Sequence, residues 1–232
     1  MKIALKMLTL FGLLLMTLML HASSVTVGSM DSGNCYPFMC NDSGTNVGQS
    51  FDYQEAYVST AFSGPFTVNS MSWSLFTGSG PAVVLGGSYT FYWGYSAVGL
   101  GLGIPLANNY SGAPSLIGTA TVPAGGVNFG TVLTLSGFAP FTYIPANGDL
   151  ILEIVVNNQD IFPNQGAGYN WADYTGTQVM RAYCETNIGC TAATTGALVT
   201  TFNSAVPEPG TLVMFGSGLL GLAGIARRKI NL

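Results

Sequence analysis

The chain has 232 residues, is only 7% charged and carries a formal net charge of −4. Five of its six basic residues (Lys2, Lys6, Arg227, Arg228, Lys229) lie at the two ends, which leaves Arg181 as the one cation between them against nine carboxylates, a net of −8. Such a body cannot neutralise a phosphate backbone, so nucleic-acid binding is excluded, and with no lysine and no histidine beyond His21 it has no Ser–His or Cys–His pair, no lysine nucleophile, no His-ligated metal site and no Lys-terminated phosphate loop.

The first 24 residues read as a secretory signal peptide. Lys2 and Lys6 form a positive start, 7–20 is an apolar run, and the small residues Ala22, Ser23 and Ser24 follow. Cleavage after Ser24 is preferred because it places Ala22 at the −3 position. The exported body then runs over 25–205, about 180 residues, enough for one domain with a sizeable core.

Cys35, Cys40, Cys184 and Cys190 come as two local pairs in an exported chain, so disulfides are expected. The expected scheme is local, Cys35–Cys40 and Cys184–Cys190. Crossed schemes, which would restrict the unfolded chain more, remain open. The spacings are wider than those of a four-cysteine zinc site, and no metal or cofactor is expected. Asp31-Ser32-Gly33-Asn34 and Asn41-Asp42-Ser43-Gly44-Thr45-Asn46 are rich in the oxygen ligands calcium favours, but they equally suit Asx turns.

From there the body reads as β. Strands are expected over 51–58, 66–75, 89–95, 116–122, 127–135, 138–143, 150–156, 177–184 and 197–202, about nine in all. In 66–75 the apolar phase switches from Phe66 and Val68 to Met71, Trp73 and Leu75, which calls for a bulge near Asn69-Ser70. In 89–95, alternation places Tyr89, Phe91, Trp93 and Tyr95 on one face. Gly99-Leu100-Gly101-Leu102-Gly103 reads as a flexible connection. The 150–156 strand is apolar on both faces except for Glu153, the mark of a central strand, and Glu153 is expected to pair across the sheet with Arg181 unless it faces solvent.

With Gly- and Pro-rich turns and no amphipathic helix, the expected fold is all-β: an antiparallel β-sandwich or jelly roll, with a closed barrel as the alternative. Trp73, Trp93, Trp171 and the tyrosines around Tyr92 could stack on sugar rings, although aromatics at alternating strand positions mostly form core. Trp171 lies in a predicted loop, so Tyr169, Trp171 and Tyr174 are the candidate carbohydrate-binding residues.

The last 27 residues follow another logic. Val206-Pro207-Glu208-Pro209 precedes an uncharged run over 211–226, and Arg227-Arg228-Lys229 closes it. As a helix the run spans roughly 24 Å against a hydrocarbon core of about 30 Å, a shortfall that flanking basic side chains can cover by snorkelling. The basic cluster is a cytoplasmic stop by the positive-inside rule; Ser217 and Gly221, with Gly218 and Gly224 nearby, make a small-residue face suited to close helix contact, and the four glycines Gly216, Gly218, Gly221 and Gly224 would weaken a buried soluble helix.

This order of motif, span and basic stop over 206–232 resembles the sorting tail of PEP-CTERM proteins, also described as an "ice-binding protein C-terminal" domain. Segments 61–66 and 141–154 also resemble recurring stretches of PEP-CTERM β-sandwich proteins. The resemblance implies export, a transient inner-membrane intermediate, and processing by an exosortase, a membrane transpeptidase, at Val206–Pro209. It further implies delivery to the cell surface or an extracellular, biofilm-type matrix. Ice binding needs a long regular threonine array, which the irregular stretch over 191–201 does not supply. The expected role is a non-catalytic surface or exopolysaccharide-matrix protein. The alternatives are a carbohydrate-binding module and, further off, a glycoside hydrolase using two carboxylates among Glu55, Glu153 and Glu185.

Overall fold

The computed structural model describes residues 24–39, 49–78, 80, 82–160, 168–185 and 189–204. They form an all-β unit, Ser24–Ser204, built from antiparallel sheets. A six-stranded sheet runs in the order β13 (Gly189–Thr194), β12 (Val179–Glu185), β3 (Gln49–Tyr57), β10 (Leu150–Gln159), β6 (Gly87–Tyr95) and β7 (Ser115–Val122), and a four-stranded sheet runs β1 (Ser24–Val27), β15 (Thr200–Ser204), β4 (Phe66–Ser74) and β9 (Val132–Tyr143). A three-stranded sheet of β14 (Ala197–Leu198), β11 (Asn170–Asp173) and β2 (Ser32–Asn34), and the pair β5 (Val83–Val84) and β8 (Val127–Asn128), complete it.

The two larger sheets share one core because every strand alternates. Tyr89, Phe91 and Trp93 of β6 and Leu152, Ile154 and Val156 of β10 turn the same way and are buried. They meet Val68, Met71, Trp73, Tyr143 and Phe202 from the four-stranded sheet. Ring contacts join the layers: Tyr57 to Phe202 at 4.9 Å, Trp93 to Phe141 at 5.3 Å and Trp93 to Phe202 at 5.7 Å, mostly edge to face.

β4 carries the bulge expected from its phase switch. Ser204 pairs with Val68 and Asn203 with Ser70, so Asn69 has no partner across the ladder. The extra residue returns Phe66, Val68, Met71 and Trp73 to one buried face. On the other side of β4, β9 loops out between Ser136 and Phe141, and Gly137 takes a φ of 82° there. Two expected strands, 127–135 and 138–143, therefore divide differently: the first breaks at Gly130 (φ 76°), and its second half continues through the irregularity into one long β9.

β10 lies between β3 and β6 and is buried on both faces, as its double apolar pattern requires. The outer cover is the segment 96–111. Leu102 and Leu106 pack on Ala56, Ile151 and Ala182, and the Ala193 amide donates to the Leu102 carbonyl at 2.7 Å. The glycine-rich stretch expected to be a loose connection is thus docked, because its two leucines supply the apolar surface that Ile151 needs. The Cys184–Cys190 disulfide closes the β12–β13 hairpin as the local scheme expects, and Cys35 is also disulfide-bonded, while Cys40 lies outside the described residues.

One polar cluster sits inside the core. Glu55 on β3 is buried and accepts hydrogen bonds from the Tyr53 hydroxyl at 2.7 Å, from the Tyr57 hydroxyl and from the Leu198 amide. Tyr57 also bonds the Thr200 hydroxyl at 2.8 Å, and the Trp73 indole donates to that same hydroxyl at 2.8 Å. Burial raises the Glu55 pKa above its ordinary 4.5, against the lowering effects of its tyrosine and amide donors and of Arg181. Burial also raises Glu153 and Asp52.

A carboxyl whose pKa is raised by folding binds its proton more tightly in the folded than in the unfolded chain. Its contribution to stability is complete below the unfolded value near 4.5 and falls as pH rises through the folded value. We predict that urea unfolding yields a larger unfolding free energy near pH 4.5 than at pH 8, and that Glu55→Gln flattens this slope. Glu55→Ala, which strands three buried donors, should cost about 3 kcal/mol or more at any pH.

Candidate functional site

The segment expected to be a loop around Trp171 contains strand β11, with Trp171 placed opposite Gly33 of β2 and Ala172 opposite Leu198 of β14. Pairing on both sides turns an aromatic-rich turn into a platform. The Phe76 amide donates to the Tyr169 carbonyl at 2.7 Å, and the Phe76 and Trp171 rings meet edge to face at 4.7 Å. Trp171 is therefore half-buried rather than exposed. The rings that reach solvent are its neighbours Tyr169 and Tyr174, 39% and 45% exposed.

Gly33 makes this arrangement possible. A Cβ there would stand 2.7 Å from the Tyr169 Cβ and 3.0 Å from the Phe76 ring. The Tyr174 hydroxyl donates to the Gly33 carbonyl at 3.4 Å, and the Tyr174 amide donates to the Asp31 carboxylate at 3.0 Å. Behind Tyr174 stands Gly196, at a φ of 83°, where a Cβ would lie 2.9 Å from the Tyr174 ring. Tyr169, Trp171 and Tyr174 are thus brought to one place, with Asp31 beside them. Exposed rings offer apolar faces to a pyranose, and exposed Asp31 and Ser32 offer partners for its hydroxyls.

Phe76 and Gly33 were not legible as members of this site. Phe76 follows a strand of core aromatics, and Gly33 reads as part of an oxygen-rich turn. In that turn Asp31 holds the Tyr174 amide, while Asn34 accepts from the Tyr36 amide and donates to the Gly196 carbonyl at 2.7 Å. Its side chains close turns and ladders, the Asx-turn alternative. The second oxygen-rich loop lies outside the described residues. Among the described residues no three His, Cys, Asp or Glu side chains group as metal ligands.

Trp73 and Trp93 are core residues and not available for stacking. The expected Glu153–Arg181 pair does not form. Arg181 stands opposite Glu55, whereas Glu153 stands opposite Gln54, so the two side chains leave opposite faces of the sheet. Arg181 donates through Nε to the Thr195 carbonyl at 3.1 Å and lies over the Tyr183 ring. Glu153 accepts from Gln54 and Tyr110, each at 3.0 Å. The same parity separates Glu55 from Glu153, and Glu185 pairs with Phe51 at the far end of β3. The three glutamates do not converge on one substrate position.

The described body is all-β, with an aromatic surface platform and no grouping of carboxylates for acid–base chemistry among the three candidates. Residues 205–229 match the family model of the PEP-CTERM protein-sorting motif. The chain carries that motif, and the match takes in Val206, Pro207, Glu208 and Pro209 as well as Arg227, Arg228 and Lys229, all outside the described residues. No curated protein and no solved structure matches the chain. The motif is a signal for membrane-associated sorting and export, with an exosortase as the processing partner. Among the described residues no helix is long and apolar enough to cross a membrane.

Gly33→Ala should displace Tyr169 and Phe76 and cost about 1–3 kcal/mol, the usual penalty for overpacking. The near-ultraviolet circular dichroism of the aromatic rings and the thermal midpoint should both change. An unaltered aromatic spectrum would show that Gly33 does not hold the platform together.

Proposed function

We propose that the chain is an exported, non-catalytic protein of the cell surface or exopolysaccharide matrix. Its first 24 residues direct secretion, and residues 211–226 hold it in the inner membrane, with Arg227, Arg228 and Lys229 as the cytoplasmic stop. An exosortase then acts at Val206–Pro209. The observation that carries this reading is the sorting-motif match over residues 205–229. Intact mass of the protein recovered from its host, split between medium and envelope, tests it. The expected product starts near Val25 and ends within the motif. A product that keeps every residue to Leu232 would overturn processing.

The platform around Gly33 favours a second activity for the same protein, binding of a polysaccharide through Tyr169, Trp171 and Tyr174. Asp31 beside the rings, in a body of net charge −8, favours a neutral chain over one rich in uronic acids. Retention on a neutral polysaccharide column should weaken about tenfold for Tyr169→Ala and for Tyr174→Ala, near 1.4 kcal/mol per ring. Equal retention of the parent and both variants would remove the platform as the binding site.

A further inference from the structure

The outward face of the four-stranded sheet is built mostly of hydroxyls. Register places Thr26, Thr201, Ser72 and Thr134 side by side across β1, β15, β4 and β9. Ser24, Asn203, Ser70 and Ser136 form a second such row. Their sequence neighbours Val25, Phe202, Met71 and Leu135 turn into the core, so alternation sends both rows outward, and every member is exposed or half-buried. Beyond the β4 bulge the pattern resumes, with the Thr67 and Thr142 hydroxyls 3.0 Å apart. No charged side chain lies on any of these four strands, whereas the six-stranded sheet carries Asp52, Glu55, Glu153, Arg181 and Glu185.

This face runs into the aromatic platform. Trp73 is in the core and Leu75 packs against it, so the outward column Ser70, Ser72, Ser74 continues to Phe76. Phe76 is the ring that meets Trp171 at 4.7 Å, and its amide holds the Tyr169 carbonyl. From Phe76 to Ser70 an extended strand covers roughly 20 Å. Along that line β15 presents Thr201 and Asn203 on one side and β9 presents Thr134 and Ser136 on the other, each column roughly 4.8 Å from β4.

The chemistry of the face selects its partner. A hydroxyl donates one hydrogen bond and accepts two, so even Thr26 and Thr201, whose hydroxyls meet at 2.8 Å, keep capacity for a ligand. Sugar hydroxyls have the same double character, and threonine methyls meet the C–H faces of sugar rings. Phosphate, sulfate and uronate groups find no cation on these strands, whereas a neutral chain brings no charge to desolvate. One such contact gains little over water, but a polymer repeats it along its length. An open sheet face fits an extended ribbon of equatorially linked pyranoses, of the cellulose type, better than a coiled chain.

We propose that a neutral, ribbon-like polysaccharide stacks on the platform and continues along β4, held by the hydroxyl rows of the four-stranded sheet. The bound stretch is several sugars long. The inference rests on the reading of Tyr169, Trp171 and Tyr174 as a polysaccharide site.

Calorimetric titration of the full chain, kept in solution by a polyoxyethylene detergent, with cellobiose and with cellohexaose tests it. The hexasaccharide should bind about tenfold tighter than the disaccharide. Ser72→Ala, Thr134→Val and Thr201→Val together remove the hydroxyls of one row with little change of shape. They should bring the hexasaccharide down to the affinity of the disaccharide, with the thermal midpoint unchanged. Thr90→Val, Thr119→Val and Thr121→Val, on the outward face of the six-stranded sheet, should leave the gain intact. If Tyr169→Ala and Tyr174→Ala weaken the disaccharide but the gain survives the first triple change, or is absent in the parent, the sheet face is overturned and the platform stands. Disaccharide binding untouched by both tyrosine changes, or no binding of either sugar by the parent, overturns the platform and the path along β4 with it.

Discussion

The structure depends on one buried carboxylate. Glu55 stands on the six-stranded sheet, yet it takes the amide of Leu198 from the three-stranded sheet, and through Tyr57 it reaches Thr200 on the four-stranded sheet. Three sheets are thus joined at one acceptor. A buried acid is costly by desolvation, and it persists only where donors surround it. Here the two tyrosines come from its own strand at the i−2 and i+2 positions, so strand periodicity itself delivers them to the same face. Aromatic packing supplies the bulk of the core, and the Glu55 cluster adds hydrogen bonds that tie Leu198 and Thr200 to β3.

That cluster also reaches the last described strand of the body. Thr200 begins β15, which ends at Ser204 and is paired on both sides, to β1 and to β4. A central strand has its register held by two neighbours.

The aromatic platform shows how a site arises between segments that are remote in sequence. Gly33, Phe76 and residues 169–174 meet because β2 and β11 pair and because the end of β4 bonds the Tyr169 carbonyl. None of these pairings is written in a local pattern. Residues 32–34 and 170–173 are too short for two-residue alternation to stand out, and glycine-, asparagine- and serine-rich composition points to turns. For that reason Trp171, in a segment that reads as a loop, is a ladder residue, half-buried with Phe76 against it.

By itself the sequence determined the class of the body, the long strands, the bulge near Asn69, the central place of 150–156 and the sorting motif. Each follows from short-range physics: alternation, a phase switch, apolar residues on both faces, or a motif read by an enzyme as a linear string. Tertiary structure alone decided which acid meets Arg181, which rings reach solvent and what covers the outer face of β10. The Glu153–Arg181 expectation failed on parity, since placing a residue on a strand does not say which face its partner strand presents until the register is known. Register depends on contacts spread over the whole core, and for that reason only the folded chain settles it.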